Sequence, residues 1–222
     1  MIRLAISKGR ILKQAIEILG ENNIICKFNP LNSRKLIIPT NMKNLEIVVI
    51  KATDVPVYID SGKVDVGIVG IDTLLEDNID NHYRLLDLQI AKCKLVVAGK
   101  PNTRYFNNMK IATKYPNAAK KYFEEIGLQC SILKLYGSIE LASVLSLSDF
   151  IVDIVESGKT LKENGLKEFD KIYDISSLLI ANKVSYKLKN KEIKLESEKQ
   201  ILPKFDEPGD GFYAAKISYK QK

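Results

Sequence analysis

The sequence has few cysteines and no long apolar run, and each shortage excludes a class of protein. Cys26, Cys93 and Cys130 are odd in number and far apart, so we expect neither a disulfide framework nor a zinc site, and a reducing cytoplasm is favoured. No apolar run approaches the ~20 residues of a membrane-spanning helix. The first residues lack the long apolar region and the cleavage site of a signal peptide. We therefore expect a cytoplasmic protein.

Histidine is also scarce, because His82 is the only one and it lies in the polar stretch 77–83. A catalytic Ser-His-Asp or Cys-His group would have to use it. We expect instead that His82 lies on a surface loop. The chemistry is then expected to depend on positioning and electrostatics rather than on a nucleophile.

The charge is positive, with a formal value of +7, but the basic residues are dispersed and few aromatic residues lie among them. This pattern argues against a nucleic-acid-binding protein and is equally consistent with small polyanionic substrates. Lysine greatly outnumbers arginine, so each arginine in a turn is a candidate anion ligand. The arginines are Arg3, Arg10, Arg34, Arg84 and Arg104.

The most informative stretch is 149–160, in which an apolar run contains Asp153 and ends at Glu156. The turn Ser157-Gly158-Lys159-Thr160 follows. A strand that leads through a glycine-containing turn into a helix presents backbone N–H groups and a positive helix end to an anion. Carboxylates accept hydrogen bonds from sugar hydroxyls. The simplest interpretation is a phosphate on the turn and a ribose on the two acids, with structural pairing of Asp153 as the alternative.

Gly158-Lys159-Thr160 also resembles the end of a P-loop, which requires glycine five residues before Gly158. Asp153 occupies that position. The motif of a nucleoside triphosphatase is therefore excluded.

Short apolar strands alternate with amphipathic segments, which predicts an α/β fold with mostly parallel sheets. The segments 54–70 and 139–158 share the order helix, acid, strand and glycine turn, which indicates two similar lobes with a cleft between them. We expect a first lobe of 1–90 plus 176–222 and a second lobe of 91–175. A return strand is predicted over 174–181, a polar helix over 184–200 and a short strand over 212–217.

Seven ordered blocks resemble the catalytic subunit of ATP phosphoribosyltransferase, the first enzyme of histidine biosynthesis, in its short form (the HisG family). The resemblance spans nearly the whole chain, and any one block alone would be a weak signal. The blocks are 4–10, 33–34, 52–58, 65–72, 112–116, 137–140 and 153–166, the last including Asp153-Ile154-Val155-Glu156-Ser157-Gly158-Lys159-Thr160.

The resemblance implies two lobes like those of periplasmic binding proteins. It also implies that N1 of ATP displaces pyrophosphate from phosphoribosyl pyrophosphate, with Mg²⁺ carried by the substrate phosphates. The implied partners are a regulatory subunit resembling histidyl-tRNA synthetase and a second copy of the chain, in a homodimer within a hetero-oligomer.

The resemblance assigns phosphoribosyl pyrophosphate to Asp153, Glu156, Ser157, Gly158, Lys159 and Thr160. Lys8, Gly9, Arg10, Asp72 and Glu140 are expected to bind ATP, although Asp72 and Glu140 could equally cap helices. Arg34 and Lys51 are the expected catalytic residues, since they would stabilise the leaving pyrophosphate. The family usually has arginine at the position of Lys51, and lysine keeps the charge without the bidentate geometry.

Two other classes remain open from the sequence. A bilobed module that binds small anions without chemistry would share the predicted fold. A basic nucleic-acid-binding protein would share the net charge. Release of pyrophosphate from a mixture with ATP, phosphoribosyl pyrophosphate and magnesium separates the enzyme from both.

Overall fold

The structure is a computed structural model that describes residues 1–77 and 81–189. Their strands are β1 (Ile2–Ser7), β2 (Ile37–Pro39), β3 (Leu45–Ile50), β4 (Val66–Gly70), β5 (His82–Asp87), β6 (Cys93–Gly99), β7 (Met109–Thr113), β8 (Cys130–Lys134), β9 (Phe150–Val155), β10 (Lys167–Ile175) and β11 (Ser177–Asn182). The helices are α1 (Arg10–Glu21), α2 (Val55–Asp60), α3 (Ile71–Glu76), α4 (Pro116–Glu125), α5 (Ile139–Val144), α6 (Lys159–Glu163) and α7 (Lys183–Leu188).

The first of two compact units comprises the described parts of Met1–Gly70, Ile79–Ala91 and Ser176–Lys222. Its six-stranded sheet has the order β2-β3-β1-β4-β11-β5. The central strands β1 and β4 are almost entirely buried, which explains their continuous apolar runs. Helix α1 buries Leu12, Ala15 and Leu19 at helical spacing, and these side chains join the core of the sheet.

The second unit comprises the described parts of Ile71–Asn78 and Lys92–Ile175, and its five-stranded sheet has the order β10-β6-β9-β7-β8. Alternate residues of β9 enter two different cores. Phe150 and Val152 pack in the core that includes α4, whereas Ile151 and Val155 pack in the core that includes residues of α5 and α6. Since side chains alternate along a strand, Asp153 lies on the same face as Ile151 and Val155.

Both sheets are mixed, which corrects the expectation of mostly parallel sheets. The parallel pairs are β1–β3, β1–β4, β7–β8 and β7–β9, and the other pairs of both sheets are antiparallel. The antiparallel pairs are β2–β3, β4–β11, β5–β11, β6–β9 and β6–β10. They involve the short edge strand β2 and the strands next to the points where the chain crosses from one unit to the other. The sequence pattern could not show this, because a buried strand has the same apolar run in either direction.

Three local predictions were also wrong or incomplete. The single return strand expected over 174–181 is two strands, β10 and β11, and α3 was not predicted. The described part of the segment Ile71–Asn78 belongs to the second unit, although we expected it in the first lobe. His82 begins β5 and is buried, rather than lying on a surface loop. The strand expected over 212–217, and the predicted helix beyond residue 189, lie outside the described residues.

Candidate active site

The turn after β9 has the conformation that its glycine permits. Gly158 has φ 73° and ψ 5°, a left-handed conformation that side chains disfavour, and α6 begins at the next residue. Ser157 Oγ accepts a hydrogen bond from the N–H group of Lys159 at 3.4 Å. The chain therefore passes from the end of β9 at Val155 to the start of α6 at Lys159 through only three residues.

Two backbone donors of this turn have no acceptor within the part of the chain that the structure describes. They are the N–H groups of Ser157 and Gly158, which precede α6. Such N–H groups, close to the start of a helix, are ready to bind an anion. The side chains of Ser157, Lys159 and Thr160 are exposed at the same turn.

Asp153 lies on β9 just before this turn and is half-buried. The pKa of its carboxyl is raised to about 6, mainly by burial. The N–H group of Ile154 and the charge of Lys114 lower this pKa, and the negative charge of Glu140 raises it. The N–H group of Ile154 donates to Oδ1 of Asp153 at 2.8 Å. Its acceptor capacity is thus only partly used.

Glu140 and Glu156 complete the acidic side of the site. Glu140 lies in the first turn of α5, which packs against β9, and its charge acts on Asp153. Glu156 is exposed at the end of β9. Lys159 forms an exposed ion pair with Glu163 at 3.7 Å, a contact that contributes little to stability.

Asp72 forms a contact that the sequence did not reveal. Tyr115, whose side chain is buried, donates from its hydroxyl to Oδ2 of Asp72 at 3.0 Å. Burial raises the pKa of Tyr115, and the charges of Asp72 and Asp153 raise it further, so the phenol remains a neutral donor. Helix capping by Asp72, the alternative interpretation, is not seen among the described residues.

A second group of predicted residues lies in the first unit, at the carboxyl ends of β1 and β3. The parallel pairing of Ser7 with Ile50 places Lys8 and Lys51 directly after neighbouring strands. The N–H group of Lys8 donates to the carbonyl of Ile50 at 2.8 Å. Gly9 has φ 97° and precedes α1. Both lysine side chains are exposed at this edge.

The two predicted arginines of this unit differ in their surroundings. Nη2 of Arg10 donates to the carbonyl of Ala91 at 2.8 Å, so part of its guanidinium has a structural role. Arg34 is exposed, and its side chain has no hydrogen bond or ion pair within the described residues. The bond from the Val49 N–H group to the Leu36 carbonyl, at 3.0 Å, brings the segment of Arg34 beside the end of β3.

The predicted residues thus form two groups, one in each unit. Asp72, Glu140 and 153–160 belong to the second unit, and Lys8, Gly9, Arg10, Arg34 and Lys51 belong to the first. Sequence reasoning missed Lys114 and the Tyr115–Asp72 bond, although the block 112–116 contained the signal. Among the described residues, no helix is long and apolar enough to cross a membrane, and no group of three or more His, Cys, Asp or Glu side chains is placed to hold a metal ion.

The two compact units, each built on a mixed sheet with helices, define a two-lobed α/β protein. The family model HisG, described as ATP phosphoribosyltransferase, matches residues 51–201. The chain is 47% identical over 195 residues to an ATP phosphoribosyltransferase of Ruthia magnifica, covering 87% of this chain and 95% of the relative. It is 48% identical over 193 residues to an ATP phosphoribosyltransferase of Hydrogenovibrio crunogenus, and the match covers 86% of this chain and 93% of that relative.

Solved structures agree. An ATP phosphoribosyl transferase (HisG:HisZ) complex from Thermotoga maritima matches with a TM-score of 0.78 and 34% identity, covering 90% of this chain and 96% of that chain. A protein from Archaeoglobus fulgidus, at 13% identity and a TM-score of 0.55, shares the fold alone, and the match covers 89% of this chain and 74% of that one.

The chain belongs to the HisG family. It is an ATP phosphoribosyltransferase, the first enzyme of histidine biosynthesis, and the predicted family, two-lobed α/β fold and enzyme class are confirmed.

Proposed function

We propose that this chain transfers the phosphoribosyl group of phosphoribosyl pyrophosphate to N1 of ATP, with residues 153–160 as the binding site of the donor. One observation supports this site above the others. The half-buried carboxylate of Asp153 and the N–H groups of Ser157 and Gly158, which lack acceptors among the described residues, lie at the end of the same strand. A ribose 5-phosphate requires this combination of hydroxyl acceptors and anion donors.

The turn binds the 5-phosphate through the N–H groups of residues 157–160 and the Thr160 hydroxyl. Asp153 and Glu156 accept hydrogen bonds from the ribose hydroxyls. Since the pKa of Asp153 is about 6, its carboxyl is mostly ionised at pH 7. The two negative charges also favour the positive charge that develops on the ribose as pyrophosphate departs.

The basic residues of the first unit bind the other reacting groups. Lys8, Gly9 and Arg10 bind the phosphates of ATP, and Arg34 and Lys51 stabilise the leaving pyrophosphate. These assignments are supported by the parallel pairing of β1 with β3, which places Lys8 and Lys51 directly after two neighbouring strand ends. Asp72 and Glu140 contact the nucleoside of ATP. N1 of adenine attacks the anomeric carbon as the bond to pyrophosphate breaks, so alignment of the two substrates supplies much of the catalysis.

Magnesium enters this scheme with the substrates. Mg²⁺ retains several waters and binds through substrate phosphates plus one or two carboxylates, so it needs no dedicated cage of protein ligands. The carboxylates of Asp153 and Glu156, beside the expected donor site, suit this hard cation. An ion bound there with the substrate would neutralise charge on the pyrophosphate.

The proposals for the partner subunit and the cellular location of this chain depend on observations outside the donor site. The Thermotoga neighbour is a complex of HisG with HisZ, and we propose that this chain binds a regulatory subunit of that kind, which resembles histidyl-tRNA synthetase, as a homodimer within a hetero-oligomer. The free thiols of Cys26, Cys93 and Cys130 fit a cytoplasmic location.

The experiment combines a direct assay with a binding measurement. The chain is mixed with ATP, phosphoribosyl pyrophosphate and Mg²⁺, with and without the regulatory subunit, and both pyrophosphate and the ultraviolet change of the modified adenine are followed. Both signals are expected with the subunit present. Tight binding of the donor without either product, even with the subunit, would instead support an anion-binding module.

Calorimetry then tests the donor site. Asp153→Asn with Glu156→Gln is expected to weaken binding of phosphoribosyl pyrophosphate. Glu124→Gln with Glu125→Gln is the control, because it removes the same charge from exposed positions of α4 in the same unit. Equal affinities for the two double variants would contradict the assignment.

A further inference from the structure

A chain of hydrogen bonds joins the strand of Asp153 to the carboxylate of Asp72. The hydroxyl of Thr113 is buried and donates to the carbonyl of Val152 at 2.6 Å, next to Asp153. The same hydroxyl oxygen accepts from the N–H group of Tyr115 at 2.8 Å. The hydroxyl of Tyr115 donates to Asp72 at 3.0 Å. The carboxylate of Asp72 is therefore connected, through Tyr115 and the hydroxyl of Thr113, to the strand that carries Asp153.

Helix α3, which carries Asp72, is attached to α4 at its other end as well. The carboxylate of Glu76 accepts from the N–H group of Asn117 at 3.0 Å and from that of Ala118 at 3.2 Å. Nδ2 of Asn117 donates to the carbonyl of Glu76 at 2.9 Å. Because Glu76 fixes the end of the helix, the bond from Tyr115 fixes the direction of the Asp72 carboxylate rather than holding the whole helix.

The phenol of Tyr115 is well suited to hold one carboxylate in one direction. Its side chain is 6% exposed and packs in the core of the second unit with Ala118 and Phe123, so the ring has little freedom. A buried phenol that remains protonated donates one bond along a fixed direction.

We propose that Tyr115 is a positioning residue for the reaction, which holds the Asp72 carboxylate in place for the nucleoside of ATP relative to the ribose site at Asp153. The proposal rests on the proposed function of Asp72 as an ATP ligand. Tyr115 itself touches neither reacting atom. Its hydroxyl acts through Asp72, and its backbone is fixed to β9 through Thr113.

The test compares Tyr115→Phe with Tyr105→Phe. Tyr105 also donates from its hydroxyl to a carboxylate of the second unit, Asp170, and packs against Phe123 of the same core. Each variant keeps its ring and loses one bond between tyrosine and aspartate. Only Tyr115→Phe is expected to raise the KM for ATP, by about tenfold, the order for loss of a hydrogen bond to a charged group. The KM for phosphoribosyl pyrophosphate is expected to stay at the wild-type value.

Asp72→Asn and the double variant Asp72→Asn/Tyr115→Phe separate the possible failures. If Asp72→Asn leaves the KM for ATP unchanged, the proposed function of Asp72 is wrong. If Asp72→Asn raises it and Tyr115→Phe does not, the positioning role is wrong while the ATP site stands. The double variant is expected to match Asp72→Asn alone, since the hydroxyl acts through that carboxylate. If Tyr115→Phe and Tyr105→Phe raise the KM for ATP equally, and each rise parallels a fall in melting temperature, the bond from Tyr115 to Asp72 is purely structural.

Discussion

Lys189 donates from Nζ to Oδ1 of Asp65 at 2.8 Å and to the carbonyl of Met1 at 2.9 Å. The N–H group of Arg3 donates to the other carboxylate oxygen of Asp65 at 2.9 Å. Burial alone would raise the pKa of Asp65, but these hydrogen bonds and the charge of Lys189 outweigh it and lower the pKa. The contact joins the end of α7 to the starts of β1 and β4.

Lys189→Ala is expected to lower the free energy of unfolding by about 1–2 kcal/mol, because it leaves a buried carboxylate with one partner fewer. The value is below that of a fully buried pair, since Lys189 is partly exposed. Lys187→Ala is the matched control, as Lys187 is an exposed lysine on the same helix. Urea unfolding of the two variants measures the difference, and equal losses would contradict the role of the ion pair.

The same pair predicts a dependence on pH. Because the folded pKa of Asp65 is lowered, its contribution to stability is present above the unfolded pKa and is lost as pH falls through the folded value. The loss of stability below about pH 4 is expected to be smaller in Lys189→Ala than in the wild type. Unfolding midpoints between neutral and acidic pH measure this, and parallel curves for both proteins would contradict it.

Two left-handed glycines allow strain to be separated from binding. Gly158 and Gly165 have φ 73° and 68°, and a Cβ added at either meets no close atom. Alanine at either position is expected to cost about 1–2 kcal/mol of stability. Only Gly158→Ala is expected to weaken binding of phosphoribosyl pyrophosphate, because it distorts the phosphate turn. Calorimetry that shows the same loss for both variants would assign the effect to stability alone.

Asp153 is expected to oppose folding at neutral pH. Its raised pKa means that its contribution to stability is present below the unfolded pKa and is lost as pH rises through about 6. Above pH 6, Asp153→Asn is therefore expected to melt at a higher temperature than the wild type. Its free energy of unfolding there is expected to be higher by as much as about 3 kcal/mol. Below about pH 4, no gain in stability is expected. Glu163→Gln, at an exposed position, is the control for charge removal. A lower melting temperature of Asp153→Asn at every pH would favour the structural alternative for Asp153.

Arg34→Ala is expected to reduce turnover by about 10²-fold, the order for loss of one preorganised group that stabilises developing charge. The exposed side chain of Arg34 has no structural partner among the described residues, so stability is expected to be unchanged. Arg104→Ala removes an exposed arginine of the second unit as the control. An unchanged rate at saturating substrates would refute the catalytic role of Arg34.

The parts of the fold that the sequence revealed are those with a local signal. The apolar run of β9 and the glycine after Ser157 each depend on neighbours in the chain. The direction of a strand has no such local signal, since buried parallel and antiparallel strands share one apolar pattern. The return segment, read as one strand, is two, because the break at Ser176 has neither a glycine nor a proline to mark it.

The site divides in the same way. The turn at Gly158 and the acid at Asp153 were predictable, because their chemistry is contained within one block of sequence. The bond from Tyr115 to Asp72 joins residues 43 positions apart, and that from Lys189 to Asp65 joins residues 124 apart. Such pairs are created by the sheet topology, and neither residue type indicates its partner.

A crystal structure with phosphoribosyl pyrophosphate and Mg²⁺ bound tests the donor site most directly. We predict that the 5-phosphate lies on the N–H groups of Ser157 and Gly158, with the ribose hydroxyls on Asp153 and Glu156. Donor density at another place, with the turn after β9 free of phosphate, would contradict the account.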